Sequence, residues 1–164
     1  MTSSINEHLE NSAAFAAEFA GPSKHVPSKA VAILTCMDTR INDFRIFGLE
    51  PGDAHVLRNA GGLVTDDVLR SLVISQRPLR TREVMLVHHT KCGLHRADEV
   101  AFRAEIAGDV GRPPPYQLGA FDDLDDAVRA AIARVRSHPF LPHRDRVRGF
   151  VYDVDSGRVR EVVV

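Results

Sequence analysis

Tryptophan is absent from these 164 residues, cysteine and tyrosine occur twice each, and no apolar run approaches the length of a bilayer span. Two cysteines, Cys36 and Cys92, are too few to staple a secreted scaffold, so each has to be accounted for singly. A charge excess is also missing: 21 Lys and Arg oppose 22 Asp and Glu, a net charge of −1. No large positive field is available to collect nucleic acid phosphates or anionic lipid, which argues against nucleic acid and membrane partners and leaves small neutral or anionic molecules. Hydrophobic residues at 44% and charged residues at 26% are ordinary for a folded, water-soluble protein, and the length suits a single domain spanning residues 1–164. The N-terminus has no basic start and Glu18 interrupts the Ala-rich stretch 13–20, so no secretory signal is read there. A reducing cytoplasm is the expected compartment.

Ser4 followed by Glu7 reads as a capping box, and Ile5, Leu9, Ala13, Ala16 and Ala20 recur at helical spacing up to Gly21-Pro22. Residues 1–21 are thus expected to form a helical arm, joined by an extended linker over 22–28. The arm either covers the domain's own core or packs on a second subunit. Beyond it, apolar β-branched runs at 30–35, 55–58, 83–89 and 149–154 alternate with helical patterns at 41–47, 64–76, 96–106 and 124–137. This alternation predicts an α/β fold: a mostly parallel central sheet flanked by helices on both faces. Asp155-Ser156-Gly157 reads as a hairpin turn, returning 158–163 as an antiparallel edge strand at the C-terminus. Pro113–Pro115 mark a stiff surface loop.

Reactive residue types concentrate in Cys36-Met-Asp38-Thr-Arg40 and His88-His89-Thr-Lys-Cys92-Gly93, each directly after an apolar strand run. Ligands of open α/β sheets collect at the carboxyl ends of strands, so both segments point to one rim, where Cys36, His89 and Cys92 can meet. Two thiolates and an imidazole are the donors tetrahedral zinc prefers, and three ligands leave a fourth position open. Other readings stand beside this one: a buried Cys as inert core, a Cys36–Cys92 disulfide that a reducing compartment disfavours, Asp38 as cap of the helix near Ile41, and Arg40 bound to carbonyls or a surface carboxylate. His88 alternates onto the opposite strand face and reads as structural.

Taken together, Cys-x-Asp-x-Arg, His-x-x-Cys-Gly and the intervening Arg58-Asn59-Ala60-Gly61-Gly62 resemble the signatures of the β-class carbonic anhydrases, in their compact bacterial branch. The resemblance runs from about Ala30 to Asp155. It implies an enzyme that reversibly hydrates carbon dioxide to bicarbonate and a proton, with one zinc per subunit held by Cys36, His89 and Cys92, and with Asp38 and Arg40 as a catalytic dyad. Two thiolates cancel the charge of Zn²⁺ and weaken its pull on bound water, so help from the dyad is expected: Asp38 orients the zinc-bound hydroxide and the Arg40 fork holds Asp38. The spacing of Cys36 and Asp38 also lets the carboxylate take the fourth zinc position, which predicts a pH-dependent closed state. Compact relatives that hydrolyse carbonyl sulfide or carbon disulfide supply an alternative substrate class, and a noncatalytic zinc-binding dimer module is the reading from another class. The family implies a homodimer or dimer of dimers with a shared sheet and the N-terminal helix over the partner. The lack of Trp removes the Trp-containing bicarbonate pocket of some members. Lys91 departs from the acidic or small residue common at its position, and His25, His55 and His95 match no family motif as a proton shuttle.

Overall fold

Valine, isoleucine and leucine fill the strand runs because a side chain clamped between sheet and helix gains most from leaving water, and β-branching suits the pleated surface. In the computed structural model, which describes residues 3–21 and 25–164, these runs become β1 (Val31–Cys36), β2 (Ala54–Asn59), β3 (Glu83–His89), β4 (Val147–Tyr152) and β5 (Val159–Val162). The helices are α1 (Ser4–Glu18), α2 (Asp43–Phe47), α3 (Asp66–Gln76), α4 (Glu99–Val110) and α5 (Leu124–Ser137), with a single 3-10 turn at Ala60–Gly62. The sheet runs β2-β1-β3-β4-β5, parallel except for the antiparallel β4–β5 pair. The expected α/β class, parallel sheet and antiparallel edge are all present.

Side chains of β1, β3 and β4 alternate between two cores. Ala32, Leu34, Val84, Leu86, Val147 and Val151 meet α3 and α5 through Val68, Leu72, Val128, Ile132 and Val135. The opposite face buries Ile33 and Val87 under Phe47 and Leu49, but leaves Val31, Ala54, Val56, Met85 and Phe150 only partly covered. Coverage is therefore uneven: α4 buries none of its residues, although its sequence pattern looked like a sheet-packing helix. Two surface ties hold it instead, because Glu99 and Arg103 bond to the backbone of the segment 114–120.

Several boundaries moved for local reasons. Ser3, not Ser4, caps α1, its Oγ accepting from the Ile5 amide at 3.3 Å, which corrects the expected capping box and leaves Glu7 in the first turn. The helix stops at Glu18, two residues before Ala20, and buries none of its residues. Thr65 and Asp98 cap α3 and α4, so those helices start later than their apolar patterns. The hairpin turn is wider than Asp155-Ser156-Gly157: Asp153 Oδ1 accepts from the amides of Asp155 and Ser156, and the Asp153 amide donates to the Arg158 carbonyl. Of the expected linker, residues 22–24 lie outside the described residues.

Candidate metal centre

β1 and β3 are parallel neighbours with Thr35 opposite Val87, so Cys36 at the end of β1 and His89 at the end of β3 emerge at the same carboxyl rim. The turn after β3 brings Cys92 back to them. Donor atoms of Cys36, His89 and Cys92 all lie within 4.8 Å of one another, and all three residues are buried. His89 Nδ1 donates to the Thr90 carbonyl at 2.9 Å, which fixes the tautomer and leaves Nε2 as the lone-pair nitrogen. That Nε2 is buried without a hydrogen-bond partner. Burial holds the His89 pKa below its usual value and keeps the ring neutral, while burial and the neighbouring Cys36 push the Cys92 thiol up. A buried cluster of two thiols and an orphaned imidazole nitrogen is unfavourable by itself and fits a soft or borderline divalent cation, whose charge offsets the cost of ionising the thiols. Both cysteines are free, and the rival Cys36–Cys92 disulfide, disfavoured from the sequence, does not occur.

Asp38 and Arg40 stand beside this cluster. Arg40 donates from Nε to Asp38 Oδ1 at 2.9 Å and from Nη2 to Oδ2 at 2.7 Å, and its backbone amide donates to Oδ1 at 2.9 Å. These charge-assisted bonds hold the Asp38 carboxyl well below the usual carboxylate range. Asp38 Oδ2 lies 3.9 Å from His89 Nε2. Arg40 also donates to the Lys91 carbonyl at 2.9 Å, tying the Cys36 segment to the Cys92 turn. Asp38 does not cap α2, since Asn42 does so through its side chain. Lys91 bonds Asp155 at 2.9 Å in the β4–β5 turn, and His88 lies buried on the opposite face of β3 with neither ring nitrogen partnered. His55 bonds Ser75, and the His95 ring bonds the Asp122 carbonyl while its amide donates to the Cys92 carbonyl at 3.1 Å.

Other residues had no role assigned from the sequence. Arg58 donates to the carbonyls of Cys36 at 3.0 Å and Asp38 at 2.7 Å, and its Nε lies 3.6 Å from the buried carboxylate of Asp43, which also accepts from Thr35 at 3.2 Å. Asn59 closes the following turn by bonding both the amide and the carbonyl of Leu63 at 2.8 Å. At Gly62, φ is +64° and a Cβ would stand 3.1 Å from the Cys36 nitrogen, so this glycine lets the turn touch the metal-bearing backbone. Phe121, from the segment before α5, packs against Cys36, Ile41 and Cys92 together with Leu94 and Tyr152. The Arg58–Gly62 run was visible as a motif; Phe121 carried no signal in its own neighbourhood.

Comparison with known proteins agrees with this geometry. A family model described as carbonic anhydrase matches residues 31–108. The chain is 42% identical over 157 residues to beta-carbonic anhydrase 1 of Mycobacterium tuberculosis, covering 96% of both chains. It is 32% identical over 165 residues to a carbon disulfide hydrolase of an Acidianus strain, covering 84% of this chain and 80% of that one. A crystal structure of a carbonic anhydrase from Streptococcus mutans superposes with a TM-score of 0.91 at 39% identity over 99% of each chain. With relatives this similar along nearly its whole length, and with the Cys36, His89 and Cys92 donors gathered at one sheet edge, this chain belongs to the β-class carbonic anhydrase family.

Proposed function

We propose that this protein hydrates carbon dioxide reversibly to bicarbonate and a proton, with Zn²⁺ held by Cys36, His89 and Cys92 and with Asp38 and Arg40 as the dyad beside it. The observation that carries this reading is the position of the clasped Asp38 carboxylate, 3.9 Å from the orphaned His89 Nε2. Zinc, when bound, makes hydroxide available near neutral pH by lowering the pKa of water. Asp38, kept ionised by its three bonds from Arg40, would accept a hydrogen bond from a hydroxide supplied by the metal and so orient it toward the substrate carbon. The Arg40 fork prevents the carboxylate from rotating, and Arg58 does the same for the carbonyls of Cys36 and Asp38. Ligation of the metal by Asp38, the closed state its spacing predicts, would compete with the bonds the carboxylate accepts from Arg40; zinc-edge absorption across pH 6.5 to 9 reads that change, on the order of the zinc-water pKa.

Stopped-flow hydration of carbon dioxide on the zinc-loaded protein is the decisive assay. Asp38→Asn and Arg40→Ala are expected to keep zinc and lose roughly 10²–10³-fold in kcat, whereas Cys36→Ser loses the metal; a fully active Asp38→Asn refutes the dyad. Carbon disulfide hydrolases among the relatives make carbonyl sulfide and carbon disulfide the controls, since preference for either substrate reassigns the enzyme within the same chemistry. A zinc-loaded protein inert toward all three substrates supports the noncatalytic module. We place the protein in the cytoplasm, where the two free thiols stay available as ligands. We also assign a homodimer as the minimal assembly: α1 exposes Ile5, Leu9 and Phe15, its C-cap exposes Phe19, and the partly covered face of the sheet is an apolar surface of matching character.

A further inference from the structure

Phe121 stands between the cysteine cluster and a cavity. Its ring packs on the Cys36, Ile41 and Cys92 cluster, and it also lines a cavity of about 340 Å³ with Leu63, Val64, His88, Ala127 and Ala130. Ring position is set by residues outside both cysteine motifs. The amides of Leu118, Gly119 and Ala120 donate to the Glu99 carboxylate at 2.9, 3.1 and 3.1 Å, clamping the segment that leads into Phe121. The Phe121 amide donates to the Leu94 carbonyl at 3.1 Å and its own carbonyl accepts from Arg96 at 2.7 Å, which joins it to the turn after Cys92. Its ring stacks on His95 with centroids 5.6 Å apart and tilts against His88 at 5.7 Å. Gly119, with φ +86°, passes so near Leu63 that a Cβ would fall 2.3 Å from Leu63 Cδ1, so a side chain there would strain the backbone and push the Leu63 side chain aside. Backbone, clamp and ring stacking therefore agree on one position for Phe121.

We propose that Phe121 limits the length of linear substrate that fits beside the triad, and so decides between carbon dioxide and its larger sulfur analogues. The inference rests on the hydration reading above and goes further by naming what sets its selectivity. Sulfur is larger than oxygen and its bond to carbon is longer, so the sulfur analogues need more space behind the reacting carbon. The cavity beyond Phe121 is mainly apolar, suited to a molecule that accepts hydrogen bonds poorly. Because the ring packs directly on Cys36 and Cys92, its removal is expected to extend the cavity up to the two cysteines.

The test compares zinc-loaded wild type, Phe121→Leu and Phe121→Ala for carbon disulfide hydrolysis against carbon dioxide hydration; each carbon disulfide consumes two waters and releases one carbon dioxide and two hydrogen sulfide. The ratio of the two kcat/KM values is expected to rise about tenfold or more in Phe121→Ala, with Phe121→Leu between it and wild type. Crystals of Phe121→Leu pressurised with xenon, a readout free of turnover, are expected to show density extending from the cavity toward the cysteines. If Phe121→Ala fails to fold, Phe121→Leu carries both measurements. A ratio unchanged within about twofold, or xenon confined to the wild-type cavity, overturns the proposal while leaving carbon dioxide hydration standing. Wild type inert toward both substrates overturns the hydration reading and this one with it.

Discussion

Single residues at this site act mainly on backbone. Gly62 shows the point most directly: with φ at +64° and the Cys36 nitrogen 3.1 Å from where a Cβ would sit, Gly62→Ala is expected to cost about 1–2 kcal/mol from the left-handed backbone alone. It should also weaken zinc retention against a chelator by shifting Cys36, and urea midpoints with a competition titration check both effects. Glu99 gives the pH dependence. Its three amide bonds hold its pKa below the ordinary 4.5, so the unfolded chain takes up the proton first. The clamp's contribution to stability is full above about pH 4.5 and is lost as pH falls through the lower folded value. Wild type is therefore expected to lose stability more steeply than Glu99→Gln below pH 4.5, measured as thermal midpoints against pH. Cys36, His89 and Cys92 were legible in the sequence because sulfur and imidazole donors at strand ends are rare and chemically specific. Arg58 was visible as part of its motif but its carbonyl partners were not, and Glu99 and Phe121 gave no signal, because all three bind carbonyls, amides or ring faces of segments far away in the chain, and no spacing encodes that.

Among the elements, α5 and α4 are opposites that composition alone does not separate. α5 inserts Val128, Ile132 and Val135 between β3 and β4, each fully covered, whereas α4 leaves Val100 79% exposed and Phe102 48% exposed. Ile132→Ala is accordingly expected to cost about 2–5 kcal/mol, from lost transfer energy and the cavity left behind. Val100→Ala should stay within about 0.5 kcal/mol; chemical denaturation with an unchanged m value distinguishes the two. The bounds of β3 and α5 agree with the sequence pattern because strict apolar period and burial coincide there. α4 starts at Glu99 rather than 96, since His95 pairs with Phe121 and Asp98 takes the cap. That pairing is a tertiary event, and the helical pattern through 96–98 had no way to register it.

At the scale of the whole molecule, α1 and one face of the sheet both leave apolar surface uncovered. α1 buries none of its residues, and the sheet face carrying Val31, Met85 and Phe150 is only partly covered. The proposed homodimer would cover both at once, since burial of apolar area is what drives association. Removing residues 1–21 is expected to shift the sedimentation profile toward monomer and to raise the concentration needed for assembly. An unchanged profile counts against the arm's role.

The sequence by itself determined the α/β class, the parallel order implied by continuous apolar runs, and the donor types at the ends of β1 and β3, because period, hydrophobicity and ligand chemistry are properties of residues and their near neighbours. Tertiary structure decided which face of the sheet stays open, which residues clasp Asp38 and the carbonyls beside it, and which side chain closes the far wall of the cluster. Those outcomes depend on where distant segments meet, and the adjacency of β1 and β3, made by a crossover through β2 and α3, settles that geometry.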